Sequence, residues 1–214
     1  MQTLLEPHYQ ATEARMGAHP VVLAIQDSTS LNYSAHPATT GLGTVGSSIE
    51  ARGLQLHTTL TLTPDGTPLG FIDAQCWARD IQEFGKSRTC SERVMAAKES
   101  GKWLHSYAIS AEVQGRLANT RVVNIGDREA DIYERFQAAA QQKQAPGLLV
   151  RASHNRRVTA EQNTLWPTLE AQAPCGIQTL QVPRQGSRPA RKAELAVRYA
   201  ACTSKMPNGR PWWH

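Results

Sequence analysis

Cysteine pairs, long apolar runs and a surplus of acid are all missing from this chain of 214 residues. Its four cysteines, Cys76, Cys90, Cys175 and Cys202, are scattered and form no Cys-x-x-Cys pair. With no secretory leader either, free thiols in a reducing compartment are the expectation. The seven histidines show no zinc-ligand spacing with those cysteines. No apolar run approaches the ~20 residues of a membrane-spanning helix. Glu6, Pro7 and Glu13 interrupt the first twenty residues, which do not resemble a secretory leader. The expectation is a soluble, cytoplasmic protein. Hydrophobic residues make up 40% and charged residues 19%, a globular composition. The length suits one full domain, or one plus part of a second. A net charge of +5 favours a polyanionic partner without specifying one.

Two segments carry the chemistry: Ala24-Ile-Gln-Asp-Ser-Thr29 and Asn124-Ile-Gly-Asp-Arg-Glu-Ala-Asp-Ile-Tyr133. Each begins as an apolar strand-like run that delivers an aspartate, Asp27 after Val21 to Ile25 and Asp127 after Val122 to Ile125. Carboxylates at the ends of neighbouring strands suit Mg²⁺, which takes one or two hard oxygen ligands from protein and keeps its other positions for water and phosphate. Two such ions about 4 Å apart activate an attacking hydroxyl and stabilise the leaving oxygen of a phosphodiester. The pair therefore points to phosphoryl transfer on nucleic acid.

The rest of the chain supplies a mixed α/β frame. Residues 1–20 read as a helix and connector. Residues 32–53, rich in Ser, Thr, Gly, Ala and Pro, read as a long surface loop. Leu54 to Leu62 alternates in part as a half-buried strand does, Thr63-Pro-Asp-Gly66 is a turn, and 68–77 is a second strand, giving a hairpin. Residues 91–119 read as mostly helical, with Gly101 weakening the middle. A second helix over about 129–142 has Ile132, Tyr133, Phe136, Ala139 and Ala140 on one apolar face and Asp127 at its N-cap position. Leu148 to Val150 reads as a buried strand. Strand, hairpin, helix, strand, helix, strand is a mixed α/β order that fits a ribonuclease H-like core. Beyond Arg151 short β-like stretches, prolines and basic residues predominate, with little helix.

On these residues the chain resembles the DDE transposases of bacterial insertion sequences, in the insertion-sequence-four family. The resemblance rests on Ala24-Ile-Gln-Asp-Ser-Thr-Ser-Leu31, Leu42-Gly-Thr-Val-Gly-Ser47, Lys98-Glu-Ser-Gly-Lys-Trp-Leu104, Asp127-Arg-Glu-Ala-Asp-Ile132, Leu149-Val-Arg-Ala-Ser153 and Arg188-Pro-Ala-Arg-Lys-Ala193. These stretches keep the family's order over most of 1–199. The resemblance implies a ribonuclease H-like mixed sheet with flanking helices over 21–151, and the start of an inserted β-rich subdomain within 152–214. It also implies cut-and-paste transposition, double-stranded transposon-end DNA as partner, a homodimer in the intact family and a place at the bacterial nucleoid. Asp27 and Asp127 match the first two acids of the catalytic triad and would ligate Mg²⁺ or Mn²⁺. The family's third acid lies in a Tyr-x-x-Arg-x-x-x-Glu-x-x-x-x-x-x-Lys signature. Nothing here fits it, because Tyr133 and Tyr199 both lack the arginine three residues on. A fragment, inactive alone, is the expectation.

Each candidate has a plainer reading. Asp127 could serve only as a helix cap and Asp27 only as a turn residue. Glu129 and Asp131 are first-turn acids that suit a helix dipole, and Arg128 could fix local structure or touch phosphate. Arg151, His154, Arg156 and Arg157 form one basic cluster and Arg188, Arg191 and Lys192 a second. Both are candidate DNA contacts set against scattered surface charge. Trp103 is expected in the core, and Trp212 and Trp213 in an exposed tail. The alternative function is a non-catalytic DNA-binding fragment, or one that poisons a full-length transposase by mixed dimerisation. A simple metal-dependent nuclease is a third reading, since Asp pairs recur across that fold.

Overall fold

A computed structural model describes residues 2–80, 101–142 and 144–205. They divide into two compact units, 1–153 and 154–214. The predicted helical stretch over 91–100, and Trp212 and Trp213, lie outside the described residues.

Unit one is built on a mixed sheet. Strand β1 (Val21–Asn32) lies at its centre, antiparallel to β3 (Arg52–Leu62) and parallel to β5 (Arg121–Gly126). Beyond β3 come β4 (Pro68–Trp77) and the two-residue β2 (Gly43–Thr44), while β6 (Gly147–Val150) adds in parallel to β5. Helices α1 (Gln2–Met16), α2 (Gly101–Arg116) and α3 (Tyr133–Gln141) flank it. The hairpin β3–β4 has the expected turn, in which Gly66 adopts φ +93° and its N–H donates to Thr63 O at 3.0 Å.

The alternation of the strands sets the core. Val22 and Ala24 of β1 and Val122 of β5 point to the side where Met16 of α1 and Val113 of α2 pack on them, with Leu69 and Ile72 of β4. Arg15 pins α1 to β4 by donating to Leu69 O at 2.6 Å. The other face carries the row Phe71, Leu60, Ile25, Ile125, Leu149, joined strand to strand by register. It is half-buried in its middle and open at its ends, where Phe71 and Leu149 are 46% and 60% exposed.

Several details differ from the sequence reading. Strand β1 does not end at Asp27 but runs on to Asn32, because β3 continues to pair with it after β5 has stopped. The loop over 32–53 is not wholly surface, since Thr44 and Val45 are buried against the start of β3. The helix expected over 129–142 splits into a 3₁₀ turn (Arg128–Ala130) and α3, so Asp127 caps the 3₁₀ turn. In α3 the buried residue is Arg135, while Ala140, placed on the apolar face by spacing, is exposed. Among the described residues β6 is the outermost strand on its side of the sheet rather than a buried one, and Leu149 is exposed.

Unit two contains the short helix α4 (Leu165–Glu170) and an antiparallel ribbon, β7 (Gly176–Val182) with β8 (Arg191–Val197). Bridges Arg157–Thr164 and Val158–Ser204 close a small knot around buried Val158.

Among the described residues no helix is long and apolar enough to cross a membrane.

Candidate metal centre and nucleic-acid surface

The parallel register of β1 and β5 ends on the pair Gln26–Gly126. Asp27 is the next residue of β1 and Asp127 the residue that follows β5, and adjacent strands run ~4.8 Å apart. Both aspartates are exposed, and by alternation along β1 Asp27 shares the face of Ile25, opposite Val22 and Ala24. The backbone steadies one oxygen of each: Ser28 N–H donates to Asp27 Oδ1 at 2.8 Å, and Glu129 N–H to Asp127 Oδ1 at 2.9 Å. Their second oxygens have no partner among the described residues. Two exposed hard oxygen donors where β5 stops beside β1 fit what Mg²⁺ or Mn²⁺ asks of a protein, with room for water and phosphate. Among the described residues no group of three or more His, Cys, Asp or Glu side chains converges as a metal cage.

The other acids of the Asp-Arg-Glu-Ala-Asp string serve the local structure. Glu129 meets Lys102 Nζ at 3.4 Å. Asp131 is buried and its Oδ2 accepts from Ser153 N–H at 2.7 Å, which ties the exit of β6 to the 3₁₀ turn. Arg151 N–H donates to Gly126 O at 3.1 Å, so the backbone of Arg151 lies beside the candidate centre.

A polar layer lies beneath the pair. Gln26 Nε2 donates to Asn124 Oδ1 at 2.7 Å, Ser110 Oγ to the same oxygen at 2.9 Å, and Arg135 Nη2 to Gln26 Oε1 at 2.6 Å. Trp103 fills the centre, with the His57 ring edge-on at 4.6 Å and the Arg135 guanidinium 5.5 Å from the indole centroid. Gly126 is required by packing. A Cβ there would come within 2.4 Å of Ala130 Cβ and 2.9 Å of Arg135 Nη1. Gly126→Ala is expected to destabilise by about 1–3 kcal/mol, the range for overpacking, as read by urea unfolding. No change in midpoint would contradict that packing.

Burial, reinforced by the charges of Lys102 and Arg135, pushes His57 down to about 4. Its Nδ1 pairs with Ser28 Oγ at 2.9 Å. Because the folded value lies below the ordinary 6.5, the unfolded chain takes up the proton first as pH falls. His57's contribution to stability is therefore intact above pH 6.5 and declines toward about 4. Urea midpoints measured across that window are expected to fall with pH, and His57→Gln to flatten the fall. A wild-type profile that does not fall there would refute the assignment.

The two basic clusters divide between the units. Arg151 belongs to unit one, and His154, Arg156 and Arg157 to unit two. Arg156 is partly sunk, and burial lowers its guanidinium pKa. Arg188, Arg191 and Lys192 are exposed at the tip of the β7–β8 ribbon, where the structure adds Arg184. A sequence signal for Arg184 exists in the absence of any acid from Ala171 to Ala193. Arg135, Gln26 and Asn124 join the site only in the structure. Their one sequence signal is that Gln26 and Asn124 continue the inward alternation of Val22, Ala24 and Val122 with polar side chains.

No protein-family model matches the chain.

Proposed function

We propose that this chain is part of a DDE transposase of the insertion-sequence-four type, with a ribonuclease H-like core that acts on double-stranded DNA. The observation that carries the reading is the placement of Asp27 and Asp127, one step beyond the last register pair of two adjacent parallel strands. The strand order supports it: a central β1, antiparallel to the hairpin on one side and parallel to β5 and β6 on the other, is the arrangement expected of that core. In this reading Asp27 and Asp127 hold Mg²⁺ or Mn²⁺ through their free oxygens, and Ser28 and Glu129 N–H fix the carboxylate planes. A divalent ion there supplies the charge that activates water and stabilises the departing oxygen of a phosphodiester. The sequence contains two of the three acids, so strand transfer by this chain alone is expected to be undetectable. Robust Mn²⁺-dependent cleavage that Asp127→Ala abolishes would overturn that expectation. The family reading is tested by translating the DNA flanking the reading frame in all frames. Finding the Tyr-x-x-Arg-x-x-x-Glu-x-x-x-x-x-x-Lys signature downstream supports it, and finding nothing like it moves the second reading to first place.

The second reading is a non-catalytic DNA-binding fragment, and the ribbon favours it. Arg184, Arg188, Arg191 and Lys192 cluster at the tip of two exposed strands with no neighbouring acid before Glu194. A two-stranded ribbon fits the major groove, and its cations would meet phosphates. Replacing all four with Gln is expected to flatten the slope of log K against log[salt] by ~0.9 for each phosphate no longer neutralised. Gel shifts on mixed-sequence duplex, without metal, read this. An unchanged slope would remove the ribbon from the DNA surface.

A further inference from the structure

Arg135 is completely buried on α3, yet its Nε and Nη1 have no hydrogen-bond partner and no carboxylate pairs with it among the described residues. Burial lowers its pKa only to about 10, so it stays charged at neutral pH. A buried cation held this way is poorly explained by stability, because well-packed apolar residues of similar volume generally serve a core as well or better. Its location gives a better reason. Nη2 grips Gln26, the residue before Asp27, and Nη1 abuts Gly126, the residue before Asp127. One guanidinium thus touches both strands at their last register pair. Gln26 passes the constraint on to Asn124, whose Oδ1 also accepts from Ser110 Oγ at 2.9 Å.

We infer that Arg135 is a positioning residue that sets the separation of Asp27 and Asp127 from beneath and holds them ready for a divalent cation. It touches neither carboxylate and acts through Gln26 and Gly126. Its positive charge also offsets part of the repulsion between two neighbouring carboxylates before metal arrives, since charges interact more strongly in a poorly screened interior. Arginine suits this role and lysine does not, because only a planar fork reaches two strands at once. The inference rests on the metal reading of the aspartates given above.

The test compares wild type, Arg135→Met, Arg135→Lys and Asp127→Asn. Two readouts are taken at conditions where each protein is fully folded: amide exchange at Glu129 and Arg151 in metal-free protein, and Mn²⁺ affinity from the free-ion electron paramagnetic resonance signal. Arg135→Met is expected to speed exchange at both amides while the Val122 amide, bonded to Gln114 Oε1, stays protected. It should also weaken Mn²⁺ binding about tenfold, the low end for losing an outer support of a metal site. Arg135→Lys should recover only part of that affinity, and it carries the same readouts if the Met variant does not fold. Unchanged exchange and affinity in a folded variant, with binding still lost in Asp127→Asn, would overturn the positioning role and leave the metal reading standing. Absence of Mn²⁺ binding in the wild type would remove the metal reading and the proposal with it.

Discussion

Trp103→Ala is expected to destabilise unit one by about 3–5 kcal/mol, the range for truncating a buried Trp or Phe to Ala. The residue lies on α2 and is 1% exposed. It makes a T-shaped contact with His57 of β3, offers its face to Arg135 of α3 at 5.5 Å and to Lys102 at 5.9 Å, and walls Gly126 of β5. Aromatic and cation–π geometries each add ~0.5–1.5 kcal/mol to simple burial. Domains are stable by only ~5–15 kcal/mol, so the loss would leave a marginal fold. Trp103→Phe keeps most of the volume and should lose far less. Urea unfolding followed by circular dichroism reads both, and a change below about 1 kcal/mol in the alanine variant would refute the central packing role.

Asp27→Asn and Asp127→Asn are expected to act in opposite directions with and without metal. In metal-free protein two like charges on neighbouring backbone segments repel, so removing either should leave stability unchanged or slightly higher. With Mn²⁺ present, the proposed centre predicts that wild type gains stability, because an ion that binds only the folded chain stabilises it, and that each variant loses that gain. Neutral amides are isosteric with the acids but lack the charge that offsets dehydration of a hard cation. A structural capping role predicts otherwise: Asp127→Asn keeps an oxygen for Glu129 N–H, so it would be silent in both conditions. Melting temperatures with and without Mn²⁺ therefore separate the bland reading of Asp127 from the chemical one.

Much of this frame is legible in the sequence. The hairpin follows from the alternation of Leu54 to Leu62 and the Pro-Asp-Gly turn, and Trp103 is in the core as its place in the chain suggests. What escapes a sequence reading depends on tertiary context. β1 runs beyond Asp27 because β3 keeps pairing with it, which no local pattern reports. Spacing gives α3 an apolar inner face, yet its most deeply buried side chain is Arg135, whose partner Gln26 lies 109 residues away. β6 reads as buried from Leu148, Leu149 and Val150, but an apolar run does not distinguish an edge strand from a central one. The two aspartates are recognisable because each follows an apolar strand. Their adjacency becomes visible only through the parallel register of β1 and β5.

The most direct test of the central claim is a Mn²⁺ titration of the folded chain, followed by electron paramagnetic resonance, beside the Asp27→Asn/Asp127→Asn double variant. Weak saturable binding in the wild type, absent from a double variant with an unchanged metal-free fold, is the predicted result. Equal binding by both proteins, or none by either, would contradict a metal centre where β5 stops beside β1.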